Sequence, residues 1–166
     1  MMDSFAIRRA EPADWQACWA IIQPVFAKGD SYPYSGDMPE ADARRLWLEA
    51  PLRCYVAEDD GGGILGTYYL KANQAGRGDH VCNCGYVTAE AARGRGVASA
   101  MCRHSQEEAK ALGFTAMQFN LVVVTNTGAV ALWQKLGFDI IGTLPGVFRH
   151  DELGPVDAHV MFKHLR

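Results

Sequence analysis

Four residues, R93-G-R-G96, stand between a strand-like run and the strongest helical segment of the chain, V97-A-S-A-M-C-R-H-S-Q-E-E-A-K-A-L112, which Gly113 stops. Glycine is needed where backbone approaches a ligand or takes torsions that other residues avoid. The pair therefore demands a sharp passage from strand to helix. It also leaves successive N–H groups free at a helix N-terminus, where the helix dipole favours an anion. The stretch lacks the G-K-[ST] ending of a Walker loop and the third glycine of a dinucleotide fold. Taken alone, it reads as an anion cradle or as a tight structural turn.

The elements around it follow from periodicity and punctuation. S4-F-A-I-R-R9 alternates as an edge strand. Residues 11–26 read as a helix, with Pro12 in the first turn, Trp15, Cys18, Trp19 and Ile22 on one face, and Pro24 expected to kink or end it. K28-G-D-S-Y-P-Y-S-G-D-M-P39 is a loop whose two tyrosines make it a candidate binding loop, or a surface loop pinned by its rings. Pro39 to Leu48 reads as a short helix. Strands 52–58 and 64–70 form a hairpin around D59-D-G-G-G63. H80-V-C-N-C-G-Y-V87 is a central strand, and 116–124 is another. A helix spans 127–136 and ends at Gly137; strands 138–144 and 157–164 close the chain, joined by the segment 142–155. The order β-α-α-β-β-β-α-β-α-β-β predicts an α+β fold with one mixed sheet covered by helices, in a single domain over residues 1–166.

Bulk properties narrow the partners. A formal net charge of −3 speaks against a nucleic-acid face, since phosphate backbones select strongly basic surfaces. No apolar run approaches the ~20 residues of a membrane span, and Met1 to Arg9 lacks a signal peptide's apolar stretch, so a cytoplasmic location is expected. Five scattered cysteines make a poor disulfide framework. Cys82 and Cys84 should share one strand face. They have no partner ligands at metal spacing, so no metal site is expected.

R93-G-R-G-V-A98 resembles the R/Q-x-x-G-x-G/A signature of the GNAT superfamily of N-acetyltransferases, and N126-T-G-A-V-A-L-W-Q-K-L-G-F138 is similar to that family's N-x-x-A-x-x-L-Y-x-x-L-G-F segment. The resemblance implies the acyl-CoA N-acyltransferase fold with a splayed central sheet, and acetyl-CoA as co-substrate. It implies that the amides of Arg93, Gly94, Arg95, Gly96, Val97 and Ala98, with Ser99, hold the coenzyme A pyrophosphate. Tyr86, Val87 and Thr88 then run beside the pantetheine arm, with Asn126, Ala129 and Trp133. In the family, a bulge splays the strand of Tyr86 from the next. An N–H near Val87 is the expected donor to the thioester carbonyl.

The chain departs from the family at two points. Trp133 stands where many members carry a tyrosine thought to protonate the leaving thiolate. An indole N–H is no usable acid near neutral pH, so Trp133 lines the channel or packs in the core. Asn83 is the polar residue on the strand where many members place a basic glutamate. Asn83 and Asn120 are the candidates to bind and orient the acceptor, or are ordinary satisfied strand amides.

Tyr32, Tyr34, Phe148 and Arg149 join the candidate substrate contacts, Arg149 as a carboxylate partner or a solvated loop residue. The N-C-G-Y and F-N-L-V-V-V-T-N strands are similar to the subgroup of the yeast azetidine-2-carboxylate N-acetyltransferase. The expected function is acetyl transfer to a small-molecule amine, an amino acid or cyclic analogue, by direct attack. The alternatives are a protein N-terminal or lysine acetyltransferase, a non-catalytic acetyl-CoA sensor, and a covalent route through Cys82 or Cys84. A homodimer is an expectation by resemblance only.

Overall fold

The computed structural model describes residues 4–166. One mixed sheet runs β1-β2-β3-β4-β5-β7-β6 across the molecule. Its strands are β1 (Phe5–Arg9), β2 (Arg53–Asp59), β3 (Ile64–Ala72), β4 (Val81–Thr88), β5 (Ala116–Val123), β6 (Asp139–His150) and β7 (Gly154–His164). Neighbours are antiparallel except β4 and β5, which the helix α3 (Val97–Ala111) connects as a crossover. The signal-peptide reading of the N-terminus rests partly on residues 1–3, which lie outside the described residues.

Strand alternation divides the core between the two faces of the sheet. Cys82 and Cys84 point to the same side, as their spacing predicts, and are buried with Met101, Cys102 and Met117 under α3. α4 (Thr127–Lys135) covers the same face through Leu132 and Trp133. The opposite face is closed by α1 (Trp15–Lys28) and α2 (Glu40–Arg44), with Trp15, Ile22, Phe26 and Trp47 packed on Val56, Tyr69 and Val87. Trp47 is 1 % exposed, and its Nε1 donates to Thr67 Oγ1 at 3.1 Å, so the polar tip of this large ring is satisfied inside the core.

Three local expectations are corrected. α1 does not end at Pro24 but continues to Lys28. Pro24 and Ala20, whose carbonyl loses its partner, lie on the exposed side, where water satisfies that oxygen. The helix expected over 39–48 is α2 followed by a wider π turn, Arg45–Glu49. The segment 142–155 is mostly strand, forming a long β6–β7 hairpin with only Asp151–Leu153 as its turn. Pro145 is tolerated because it falls in the irregular stretch between Leu144 and Phe148 of the edge strand β6, where a missing N–H costs no ladder bond.

Candidate active site

β4 and β5 part soon after they start. Their parallel register covers only Val81↔Ala116 and Cys82↔Met117. Beyond it lies a cleft of about 730 Å³ that reaches both faces of the sheet. The expected bulge in β4 is not there: β4 pairs with β3 in unbroken register from Ala72↔Cys82 to Gly66↔Thr88. The irregularity sits on β5, between Phe119 and Val122 against β7, and so brackets Asn120 and Leu121. One extra residue there bends β5 locally.

The ladder also settles which backbone groups face the gap. Asn73 N–H donates to the Val81 carbonyl and Ala89 N–H to the Leu65 carbonyl, both at 2.8 Å. Odd-numbered residues of β4 therefore turn their backbone groups to β3, and Cys84, Tyr86 and Thr88 turn theirs to the cleft. The Val87 N–H is engaged with β3, which corrects the expected donor. Cys84 is 6 % exposed, and the β4–β5 register ends at Cys82↔Met117, before its N–H would meet a rung. An N–H turned to a cleft beyond the end of a ladder is a donor available to a ligand carbonyl.

One end of the cleft is the glycine turn. Gly94 and Gly96 take φ of 78° and 79°, and nothing lies within 4 Å of where a Cβ would stand at either. The glycines are there for torsion, and the space beside them is open. Gly96 caps α3 without any side-chain bond, so the first-turn N–H groups remain free beside Arg93, Gly94, Val97, Ala98 and Ser99, all lining the cleft. Arg95 is not among the lining residues. Asn126, Ala129 and Trp133 line the α4 side. Asn126 Oδ1 accepts from Ala129 N–H as the cap of α4. Trp133 packs 5.1 Å from the rings of both Tyr86 and Phe119, so it lines the channel and closes the core at once.

The other end opens beneath the loop before α2. Tyr32 donates its hydroxyl to the Tyr86 carbonyl at 2.8 Å, tying this loop to the splayed strand. Its ring and that of Tyr34 pack on Phe26. The floor is polar: Asn83, Lys71 and Asn120 line it. Asn83, 7 % exposed, donates to the Gln118 carbonyl at 2.9 Å and accepts from the Tyr69 hydroxyl at 3.3 Å. Asn120 is exposed, donating to Asn73 Oδ1 and accepting from Gln118 Nε2. Asn83, Asn120 and Asn126 thus share one cleft but do not touch one another. Phe148 and Arg149 instead line an adjoining cavity of about 430 Å³, which shares Tyr32, Pro33, Tyr34 and Leu121 with the main cleft.

Sequence reading missed Lys71 and Tyr69. Strand alternation places them on one face of β3, but only the β3–β4 register brings that face over Asn83. The Lys71 ammonium lies 5.3 Å from the Tyr69 ring centroid and has no carboxylate within ion-pair distance among the described residues. Among the described residues, the lining of the main cleft contains no carboxylate and no histidine. Burial pushes the Cys84 thiol well above its ordinary pKa, with Cys82 adding to the effect, which keeps it from acting as a thiolate nucleophile. Among the described residues, no group of three or more histidine, cysteine or acidic side chains is placed to hold a metal ion.

The model of the acetyltransferase (GNAT) family matches residues 15–138. N-acetyltransferase aca1 of Schizosaccharomyces pombe is 33% identical over 105 residues, covering 61% of this chain and 49% of that protein. The chain thus spans about half the length of that relative. L-amino acid N-acetyltransferase AaaT of Escherichia coli is 28% identical over 148 residues, covering 86% of this chain and 87% of that protein. Among solved structures, a GCN5-related N-acetyltransferase from Kribbella flavida superposes with a TM-score of 0.92 at 42% identity, covering 97% of this chain and 98% of that one.

Proposed function

The chain belongs to the GNAT family of acetyltransferases, and on that premise we propose that it moves the acetyl group of acetyl-CoA to the amine of a small molecule, an amino acid or cyclic amino-acid analogue. The observation that carries this reading is the parted β4–β5 pair. It joins an uncapped helix N-terminus at one end to a tyrosine-lined polar basin at the other.

The residues fit the co-substrate. The free amides around Gly94, Gly96 and Val97 suit a pyrophosphate, and the open space beside both glycines leaves room for it. The even-numbered amides of β4 suit an extended amide-bearing arm. Acetyl-CoA supplies an activated acyl carbon as a thioester. Cys84 N–H is the donor placed to polarise its carbonyl, and it costs no reorganisation because it is fixed in a strand. Apolar walls from Phe119, Leu132 and Trp133 exclude water. The acceptor's neutral amine forms the new C–N bond as the C–S bond breaks, its surplus proton goes to solvent, and coenzyme A leaves as the thiolate, which takes a proton from solvent to become the thiol.

Three features favour a small acidic acceptor. Tyr32 and Tyr34 line the basin, and Tyr32 ties their loop to β4 through the Tyr86 carbonyl. Among the described residues the basin's one charged side chain is the Lys71 cation, and the adjoining cavity holds Arg149 together with Asp151. The basin carries no carboxylates to hold a basic protein tail. AaaT, similar over most of its length, is named as an L-amino acid N-acetyltransferase.

The lack of any acidic or histidine side chain in the lining also supports a second reading, an acetyl-CoA-binding sensor without turnover. A screen of cyclic and linear amino acids, amino-acid-like herbicides and polyamines, read by release of free thiol, separates the two. Turnover with a carboxylated amine is expected; micromolar coenzyme binding with no thiol release across the panel would establish the sensor.

A further inference from the structure

We propose that Asn83 is a positioning residue: it holds β4 and β5 apart and keeps the Cys84 N–H free to face the cleft. In a parallel ladder, the rung after Cys82↔Met117 joins Cys84 N–H to the Gln118 carbonyl. That carbonyl is already taken, because Asn83 Nδ2 donates to it at 2.9 Å. The side chain of Asn83 therefore sits where the ladder would otherwise continue.

The plug is itself fixed. Its Oδ1 accepts from the Tyr69 hydroxyl at 3.3 Å. The Tyr69 ring stands edge-on to Trp47 at 4.9 Å and lies against Gly85, where a Cβ would come within 2.6 Å of it. Gly85 thus leaves the room that lets Tyr69 reach Asn83. Nothing in the β4 backbone explains the parting, since its register with β3 is unbroken, and the β5 irregularity lies beyond the apex, after Phe119. The side chain at the apex decides where the strands separate, and through that which amide is left for the ligand.

The test reads the Cys84 amide directly by hydrogen exchange of the ligand-free protein, alongside kinetics. In Asn83→Ala the Gln118 carbonyl is released and Cys84 N–H closes onto it. Its exchange is expected to slow about tenfold or more, and kcat to fall by about 100-fold, the effect of losing one fixed oxyanion donor. Affinity for 3′-phosphoadenosine diphosphate, which reaches only the α3 end, should stay within about twofold of wild type, since sites without shared partners act independently. Tyr69→Phe keeps Asn83 but frees one end of it, and gives a smaller slowing of the same amide; it serves if the first variant does not fold. A fall in kcat with unchanged Cys84 exchange means that Asn83 acts on the substrate and overturns the proposal. Unchanged exchange and unchanged kcat assign the parting to β5 alone and overturn it too. The kinetic arm rests on the transferase reading; if wild type releases no thiol with any acceptor, that reading fails while the exchange arm still decides the role of Asn83.

Discussion

At the scale of single residues, Lys71 carries the sharpest prediction about specificity. It is half-buried, its ammonium lies over an aromatic ring rather than a carboxylate, and it borders the basin that the proposed function assigns to the acceptor. A cation held this way gains most from an anionic ligand group. Replacing Lys71 by Met should raise KM for a carboxylated amine about 10- to 100-fold, the range expected from one charge-assisted bond. KM for the matching amine without a carboxylate should barely move. Equal losses for both acceptors would show that Lys71 supports the basin's shape instead. The sequence made Asn83 visible because an amide among apolar strand residues asks for a partner. It left Lys71 hidden because an exposed-looking lysine near the end of a strand asks for nothing until the register of the neighbouring strand is known.

At the scale of elements, the glycine turn was readable in full and the splay only in outline. R93-G-R-G96 announces torsions that other residues avoid, and both glycines have φ near the left-handed region. The hairpin turn at D59-D-G-G-G63 and the stops at Gly113 and Gly137 were equally plain, since each is local chemistry. The parting of β4 from β5 depends on long-range pairing, which periodicity does not encode. Its bulge accordingly lies on the strand opposite the expected one. The β6–β7 hairpin was foreshortened for a related reason: Pro145 and Gly146 look like loop residues, and only an edge position makes them acceptable in a strand. The turn makes its own prediction. In Gly96→Ala the new methyl meets open space, so any cost is torsional, about 1–2 kcal/mol for a side chain held at positive φ. If α3 begins differently to relieve it, the anion cradle is what changes. KM for acetyl-CoA should rise about tenfold with kcat at saturation nearly unchanged, as for an interaction made equally in ground and transition states. A fall in kcat at constant KM would place the turn in the chemistry rather than in binding.

At the scale of the whole molecule, what matters is where protons can go. One cluster of titratable groups lies outside the cleft: His104, Glu108 and Tyr55 meet on the α3 face, with Tyr68 bonded to His104 Nδ1 at 2.7 Å. The cleft's own lining offers amides, tyrosines held protonated by burial, and cations. On the proposed function, an amine acceptor then arrives neutral from solution and sets the pH dependence. Below the amine's own pKa, kcat/KM should climb about tenfold per pH unit. It should level off at that pKa and shift when a less basic acceptor is used. An inflection near 6 to 7 that stays put across acceptors would reveal a protein base. The acid side of such a profile has a separate limit. Burial lowers the His104 pKa below its ordinary 6.5, against the opposing pull of Glu108. The unfolded chain then binds the proton more readily than the folded one, so the stability contribution is complete above about 6.5 and is lost as pH falls from there through the lower value of the folded state. Melting temperature followed from pH 8 down to 5 should decline through this window, and His104→Gln, which removes the titrating group, should flatten the decline. The two titrations are separable: the first moves with the acceptor, and the second moves with α3.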